Sequence, residues 1–315
     1  MPTSNFSMTA PDGTTIACYS WLPPGPPKAV VQIAHGLAEH AGRYERLAQA
    51  LNAHGYIVYA NDHRGHGRTA SSKRELGWFA RRDGWSKCVG DLYELNRKIA
   101  AQHPGLSVVL LGHSMGATLA LQFISRHGDS LAGVALSGAS GQPTAFAAVG
   151  KLIARMERMR VGAQGHSALV HSLSFGAFNK RFAPARTEFD WLSRDPAEVD
   201  KYIADPICGF RCSVQLWIDL LAGWTAASSP KSLGRIPKEL PIYVISGGND
   251  PVGANCRQVE AMLRAFAAAG LRRCEHKFYP EARHEIFNET NRDEVTRDLL
   301  AWLDRAILGS TTKTS

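Results

Sequence analysis

Along most of the chain two hydrophobic rhythms alternate: short apolar runs, and longer stretches in which apolar positions recur every three or four residues. The runs predict eight strands, at Ser4–Thr9, Thr15–Trp21, Ala29–Ala34, Tyr56–Ala60, Ser107–Leu111, Gly133–Ser137, Ile242–Ser246 and Cys274–Tyr279. The first two flank Ala10-Pro11-Asp12-Gly13-Thr14, a hairpin turn signal. The others read as continuous and apolar, as expected of strands buried on both faces of a parallel sheet. Between them, Tyr44, Leu47, Ala48 and Leu51 keep helical spacing, and Gly55 stands just past that helix. Val259, Met262, Leu263 and Phe266 do the same ahead of Gly270, and Val295, Leu299, Trp302 and Leu303 mark a last helix. Strand–helix alternation of this kind predicts the α/β class, with a mainly parallel, doubly wound sheet flanked by helices.

The alternation breaks between about Gly141 and Leu240. That stretch carries helical patterns, notably Val214, Trp217, Leu221 and Trp224, and is too long for a connecting loop. It is expected to be a helical cap or lid (141–240) inserted between strands six and seven of a core formed by 1–140 and 241–309, with 310–315 as a flexible tail. In one cap helix Val149, Leu152, Ile153 and Met156 share a face, while Lys151, Arg155 and Arg158 share another. This suits either an ordinary cap helix with a solvated charged side or a basic amphipathic helix lying on an anionic membrane. The apolar, Gly/Ser-softened segment 167–178 suits an acyl-tunnel wall, a mobile lid or cap core.

Composition narrows the class. With 44% hydrophobic and 20% charged residues over 315 positions, the chain can bury a full core. Its start lacks the basic and apolar regions of a signal peptide, and no apolar run reaches membrane-spanning length, so a cytoplasmic location is expected. Cys18, Cys88, Cys208, Cys212, Cys256 and Cys274 are scattered without metal spacing and read as reduced thiols; Cys208 and Cys212 are expected one helical turn apart. A net charge of +8 leaves an acidic membrane face open, but no Lys/Arg block or nucleic-acid-binding motif accompanies it. No nucleic-acid partner is expected.

The chemistry centres on one interruption. The run Val108–Leu111 stops at Gly112-His113-Ser114-Met115-Gly116 and resumes as a helical pattern from Ala117. A serine held at a sharp strand-to-helix corner is what a nucleophile requires, and G-x-S-x-G between a strand and a helix is the nucleophile elbow. The alternative is a tight turn with a buried serine. A serine hydroxyl needs a base, and the base an orienting acid. Asp250 follows the strand ending near Ser246 and is the acid candidate, whereas Asp195-Pro196 and Asp205-Pro206 follow no strand; Asp250 is equally placed to cap a helix over 252–270. Of twelve histidines, His284 stands in the loop between the last strand and the last helix, where the base belongs. Backbone N–H groups of Met115 and Leu37 are placed to form an oxyanion hole, with Gly36, His113 and the elbow glycines supporting the turns. Asp62-His63-Arg64-Gly65-His66-Gly67 offers two histidines and one carboxylate, too few for a metal, and is read as a loop pinned by Asp62 and Arg64. No cofactor or metal is expected.

The chain resembles the monoacylglycerol lipases and bacterial lysophospholipases, a serine family of the α/β-hydrolase fold. The resemblance rests on His35-Gly36, Glu39-His40, Arg43-Tyr44, the stretches 61–69 and 112–116, and then 190–196, 247–253 and 279–289, in the family's order. It implies Ser114 as nucleophile, Asp250 as acid, His284 as base, and Leu37 and Met115 at the oxyanion hole. Ala38 departs from the glycine common there, and alanine resists positive φ. A glycerol or glycerophospho head group is implied by the resemblance alone. The expected activity is hydrolysis of single-chain lipid esters through an acyl-enzyme on Ser114, with peripheral membrane contact through the cap. The alternatives are a short-chain carboxylesterase or other acyl hydrolase with the same triad and, in a different class, a ligand receptor on a hydrolase scaffold.

Overall fold

A computed structural model describes residues 3–143 and 145–311. The eight strands are β1 (Ser4–Thr9), β2 (Thr15–Trp21), β3 (Ala29–Ala34), β4 (Tyr56–Asn61), β5 (Val108–His113), β6 (Gly133–Ser137), β7 (Ile242–Gly247) and β8 (Cys274–Tyr279). They form one sheet in the order β1-β2-β4-β3-β5-β6-β7-β8, antiparallel at β1/β2 and β2/β4 and parallel thereafter. Every residue of β3, β4, β5, β6 and β7 is buried, as the unbroken apolar runs require, whereas β8 departs from that expectation: it lies at the sheet edge and exposes Glu275 and His276.

Alternate strand residues feed two cores. Val30, Val108, Leu110, Val134 and Val244 face one side, where they meet α2 (Gly84–Gln102), α3 (Met115–His127) and α10 (Arg257–Ala268). Val31, Val109, Leu111, Ala135 and Ile245 face the other, against α1 (Glu45–Ala53) and α11 (Arg292–Thr311). This is the α/β-hydrolase architecture. The last helix continues through Thr311, so residues 310 and 311 belong to it rather than to a tail; 312–315 lie outside the described residues.

Between β6 and β7 the described residues form six α-helices: α4 (Ala145–Val161), α5 (Ala168–Leu173), α6 (Phe175–Phe178), α7 (Pro196–Ala204), α8 (Val214–Ala227) and α9 (Pro230–Arg235). This insertion shares its interior with the sheet. Phe175, Trp191, Tyr202, Leu216 and Leu233 join the same apolar cluster as Val108 and Val134. Cys208 and Cys212 lie in the non-helical link between α7 and α8, not one helical turn apart: Asp205 ends the helix ahead of a turn, and no helix resumes until Ser213 caps α8. All six cysteines are free. Among the described residues no helix is long and apolar enough to cross a membrane.

Candidate active site

Ser114 occupies the corner between β5 and α3 at φ 54°, ψ −115°, a conformation a residue with a Cβ adopts only under constraint. The constraint is visible. Its N–H donates to the Ser137 carbonyl at 2.9 Å, and its carbonyl accepts from the N–H groups of Ala117 and Thr118. Gly116 lets α3 press against the end of β3, since a Cβ there would overlap the carbonyl oxygens of Ala34 and His35. A helix beginning at Met115 has no internal acceptor for its first N–H groups, which carry the positive end of its dipole.

Asp250, fully buried three residues beyond β7, places Oδ2 at 2.9 Å from His284 Nδ1 and accepts the Val252 N–H on Oδ1 at 2.9 Å. The helix expected from residue 252 begins only at Arg257, because Ala254, Asn255 and Cys256 take positive φ and hold the chain in a turn. Asp250 therefore caps that turn rather than a helix. His284 is buried, its ring 4.8 Å from the His113 ring and 5.1 Å from that of Trp191. Burial alone would depress its pKa; the Asp250 carboxylate more than reverses this and holds His284 above its ordinary value. His113 is pushed down to about 4, by burial and then by the neighbouring His284, so it is neutral near pH 7.

Leu37, Ser114 and Met115 line one cavity. The loop carrying Leu37 is held by a buried charged network. Glu39 Oε1 accepts the Gly36 N–H at 2.5 Å and the Tyr44 hydroxyl at 2.8 Å, and Oε2 accepts from Arg43 at 2.7 Å. The Arg43 guanidinium also donates to both oxygens of Glu285, at 2.5 and 2.7 Å. One guanidinium thus ties the loop after β3 to the residue next to His284. Burial works to raise the Glu285 pKa, yet the Arg43 charge and hydrogen bonds hold it down to about 2. Ala38 takes φ 56°: the alanine adopts the left-handed conformation that a glycine would.

Ser114, Asp250, His284, Leu37 and Met115 are thus brought to one end of the sheet, with Gly36, Gly112, His113 and Gly116 packed among them. Sequence patterning did not single out the Glu39–Arg43–Glu285 network or the contact of Trp191 with His284; Arg43 and Glu285 are 242 positions apart, and no local rhythm links them.

The Asp62 loop is a structural pin, as expected. Asp62 accepts from the Tyr19 hydroxyl and from the N–H groups of Ala41 and Arg68. Arg64 pairs with Asp91 and Asp12. His40, Asp205 and Cys208 also bring donor atoms within 4.8 Å of one another. There, His40 Nδ1 accepts the Gly42 N–H, which leaves the proton on Nε2 to donate to Asp205 at 2.9 Å, while burial pushes the Cys208 thiol far up. That trio is satisfied as a hydrogen-bonded pair beside a neutral thiol.

The cavity beside Ser114 measures about 410 Å³, and no charged residue lines it among those described. Val170, Phe175, Phe178, Trp191, Trp217 and Trp224 supply much of its wall. Of segment 167–178, Val170, Leu173, Ser174, Phe175 and Phe178 line the cavity, and Val170 and Phe175 also pack in apolar clusters behind it. On α4 only part of the apolar face is covered: Val149, Leu152, Met156 and Met159 are more than half exposed, while Ile153 lines the cavity and packs with Ala154, Val170 and Ile218 in a small cap cluster.

A family profile described as serine aminopeptidase, S33 matches residues 25–291. The monoacylglycerol lipase of Mycolicibacterium smegmatis is 30% identical over 308 residues, covering 95% of this chain and 96% of its own. The human monoglyceride lipase is 29% identical over 293 residues, covering 89% of this chain and 86% of its own. Among solved structures, a thermostable carboxyl esterase from Bacillus coagulans in complex with glycerol superposes with a TM-score of 0.89 at 27% identity, covering 98% of this chain and 99% of that one. Fold, elbow and relatives agree: the chain belongs to the monoacylglycerol lipase-like family of serine α/β-hydrolases, a family of carboxylic ester hydrolases.

Proposed function

We propose that the protein hydrolyses carboxylic esters of single-chain lipids, monoacylglycerols above all, through an acyl-enzyme on Ser114. The carrying observation is the charge-free, aromatic-walled cavity of about 410 Å³ that opens onto Ser114. Its wall offers an acyl chain apolar contact and offers a phosphate no cation, which favours a neutral glycerol head group over a glycerophospho one.

In this reading the Ser114 hydroxyl attacks the ester carbonyl carbon while His284 Nε2 takes its proton. Asp250, bonded to Nδ1, keeps the imidazole in the tautomer that leaves Nε2 free and stabilises the imidazolium that forms. The Leu37 and Met115 N–H groups receive the negative charge on the former carbonyl oxygen. His284 then gives its proton to the departing alcohol, and a water activated by His284 releases the fatty acid. Removing one hole donor is expected to cost on the order of 10²–10³ in rate.

The exposed side chains Leu152, Met156 and Met159, beside Arg155 and Arg158 on α4, suit contact with an anionic lipid surface, with Val149 and Leu173 at once exposed and lining the cavity. Sedimentation with anionic vesicles tests this, and Met156→Glu with Met159→Glu should weaken the binding.

The deciding assay is fatty-acid release from 1-monooleoylglycerol and 1-oleoyl lysophosphatidylcholine beside hydrolysis of p-nitrophenyl butyrate, with Ser114→Ala as control. Efficient cleavage of the monoacylglycerol and an inactive mutant is the expected result. Turnover of the butyrate alone would leave a short-chain carboxylesterase. Turnover unchanged in Ser114→Ala would remove the nucleophile.

A further inference from the structure

Ala38 is fully buried, carries a Cβ and sits at φ 56°. The left-handed conformation is unfavourable for alanine, so the surroundings must hold it there. The partners of its carbonyl oxygen come from far along the chain. The Tyr202 hydroxyl donates to it at 3.0 Å across 164 positions, and the Gly209 N–H donates to it at 2.9 Å. Both donors belong to the insertion.

Tyr202 is itself immobilised. It is buried, its ring lies 4.8 Å from the Arg43 guanidinium carbon and 5.1 Å from the Phe189 ring, and Arg43 in turn bonds Glu39. Gly209 sits at φ 65°, and a Cβ there would stand 3.2 Å from Phe189 and 3.3 Å from Tyr202, so the glycine lets its N–H approach. On the other flank, Glu39 fixes the Gly36 N–H at 2.5 Å. Leu37 is therefore held between two anchored residues, one tied within the core and one tied to the insertion.

We infer that Tyr202 and the Gly209 backbone form a clamp that keeps Ala38 left-handed and so aims the Leu37 N–H at the reacting oxygen, with Tyr202 a positioning residue. This rests on the placement of Leu37 in the oxyanion hole proposed above. Without the hydroxyl only the Gly209 N–H holds that carbonyl, and Ala38 relaxes more readily toward negative φ, turning the Leu37–Ala38 peptide and shifting the Leu37 N–H with it. A glycine at position 38 has no such preference, and the clamp becomes dispensable. The insertion thus completes the hole as well as walling the cavity.

The test is a double-mutant cycle of Tyr202→Phe and Ala38→Gly, read as kcat and KM on p-nitrophenyl butyrate, with Ser114→Ala alongside. Losing one buried hydrogen bond should lower kcat about tenfold when Ala38 is kept, with KM moving less than about twofold. The same substitution in the Ala38→Gly background should cost less than about threefold. Affinity for a butylboronic acid inhibitor, whose adduct places an oxygen in the hole, should fall and recover in parallel. Equal losses in both backgrounds, or a change confined to KM, would show that Tyr202 only packs. A Tyr202→Phe chain that folds only when Ala38→Gly accompanies it supports the clamp, and one that folds in neither background overturns it. Turnover independent of Ser114 brings down the site reading and the clamp together, whereas a dead Ser114→Ala with an uncoupled cycle brings down the clamp alone.

Discussion

Acid should unfold this protein early, and the buried histidines behind the elbow set the size of the effect. His35, His63 and His66 are wholly buried, with ring centroids 4.1 Å apart for His35–His63 and 5.3 Å for His35–His66. Each is bonded as a neutral ring. His35 donates from Nδ1 to the Gly36 carbonyl and accepts the His63 N–H on Nε2; His66 donates from Nδ1 to the Arg64 carbonyl, and its buried Nε2 has no partner among the described residues. A second proton would meet another N–H at His35 and no acceptor at His66. Burial, with neighbouring rings adding to it, depresses His63 to about 3 and His66 to about 4, and His113 likewise falls to about 4. A depressed base contributes stability that is full above the unfolded value of about 6.5 and is lost as pH falls toward the folded value. Taking that difference, each of His63, His66 and His113 costs about 2 kcal/mol between pH 7 and pH 5, about 6 kcal/mol together, on the scale of a whole domain's stability. Asp62, Asp91 and His284, whose pKa values are raised, act in the opposite sense. His66→Asn isolates one ring from these groups. The amide can keep the donor to the Arg64 carbonyl, so the variant should be weaker at pH 7 yet lose about 2 kcal/mol less on going to pH 5. Urea unfolding of both proteins at the two pH values measures this. Identical losses would refute the assignment of acid sensitivity to buried neutral histidine.

Two further outcomes follow from charged pairs. Because Asp250 holds His284 above its ordinary value, the acid limb of kcat/KM should lie above about pH 6.5, and Asp250→Asn should shift that limb and lower kcat on the order of 10⁴-fold; a rate flat from pH 8 to 6 would deny His284 the role of base. Arg64, almost wholly buried, donates to both oxygens of Asp91 at 2.7 and 3.0 Å, so Asp91→Ala leaves the guanidinium with Asp12 as its carboxylate partner and should cost about 1.5–3 kcal/mol in chemical denaturation.

What was legible in the sequence is what rests on short spacing. β1, β2, β3, β6 and β8 fall where the apolar runs place them, and the rest differ by a residue or two at their ends, as at β4, which takes in Asn61. Strand, elbow and helix are contiguous in Val108–His127, so the conformation of Ser114 is written beside it. Position 252 shows the limit. Its helical rhythm is real, but Asp250 draws the following backbone into a turn, and three residues take positive φ before α10 can begin. The face of α4 shows it again, since spacing marks Val149, Leu152 and Met156 as one apolar stripe without saying whether protein covers it.

Ala38 carries the point furthest. By residue type alone it belongs at negative φ, and the chain offers no local reason for anything else. Its left-handed backbone is imposed by a hydroxyl 164 positions away, by the Gly209 N–H and, through Gly36, by a carboxylate that shares its guanidinium with the neighbour of His284. A conformation that depends on pairs so far apart has no signature in a window of any length. It follows that the insertion and the loops carrying Leu37 and His284 constrain one another, and that substitutions at the α7–α8 link should alter turnover through the loop after β3 even where they touch no substrate.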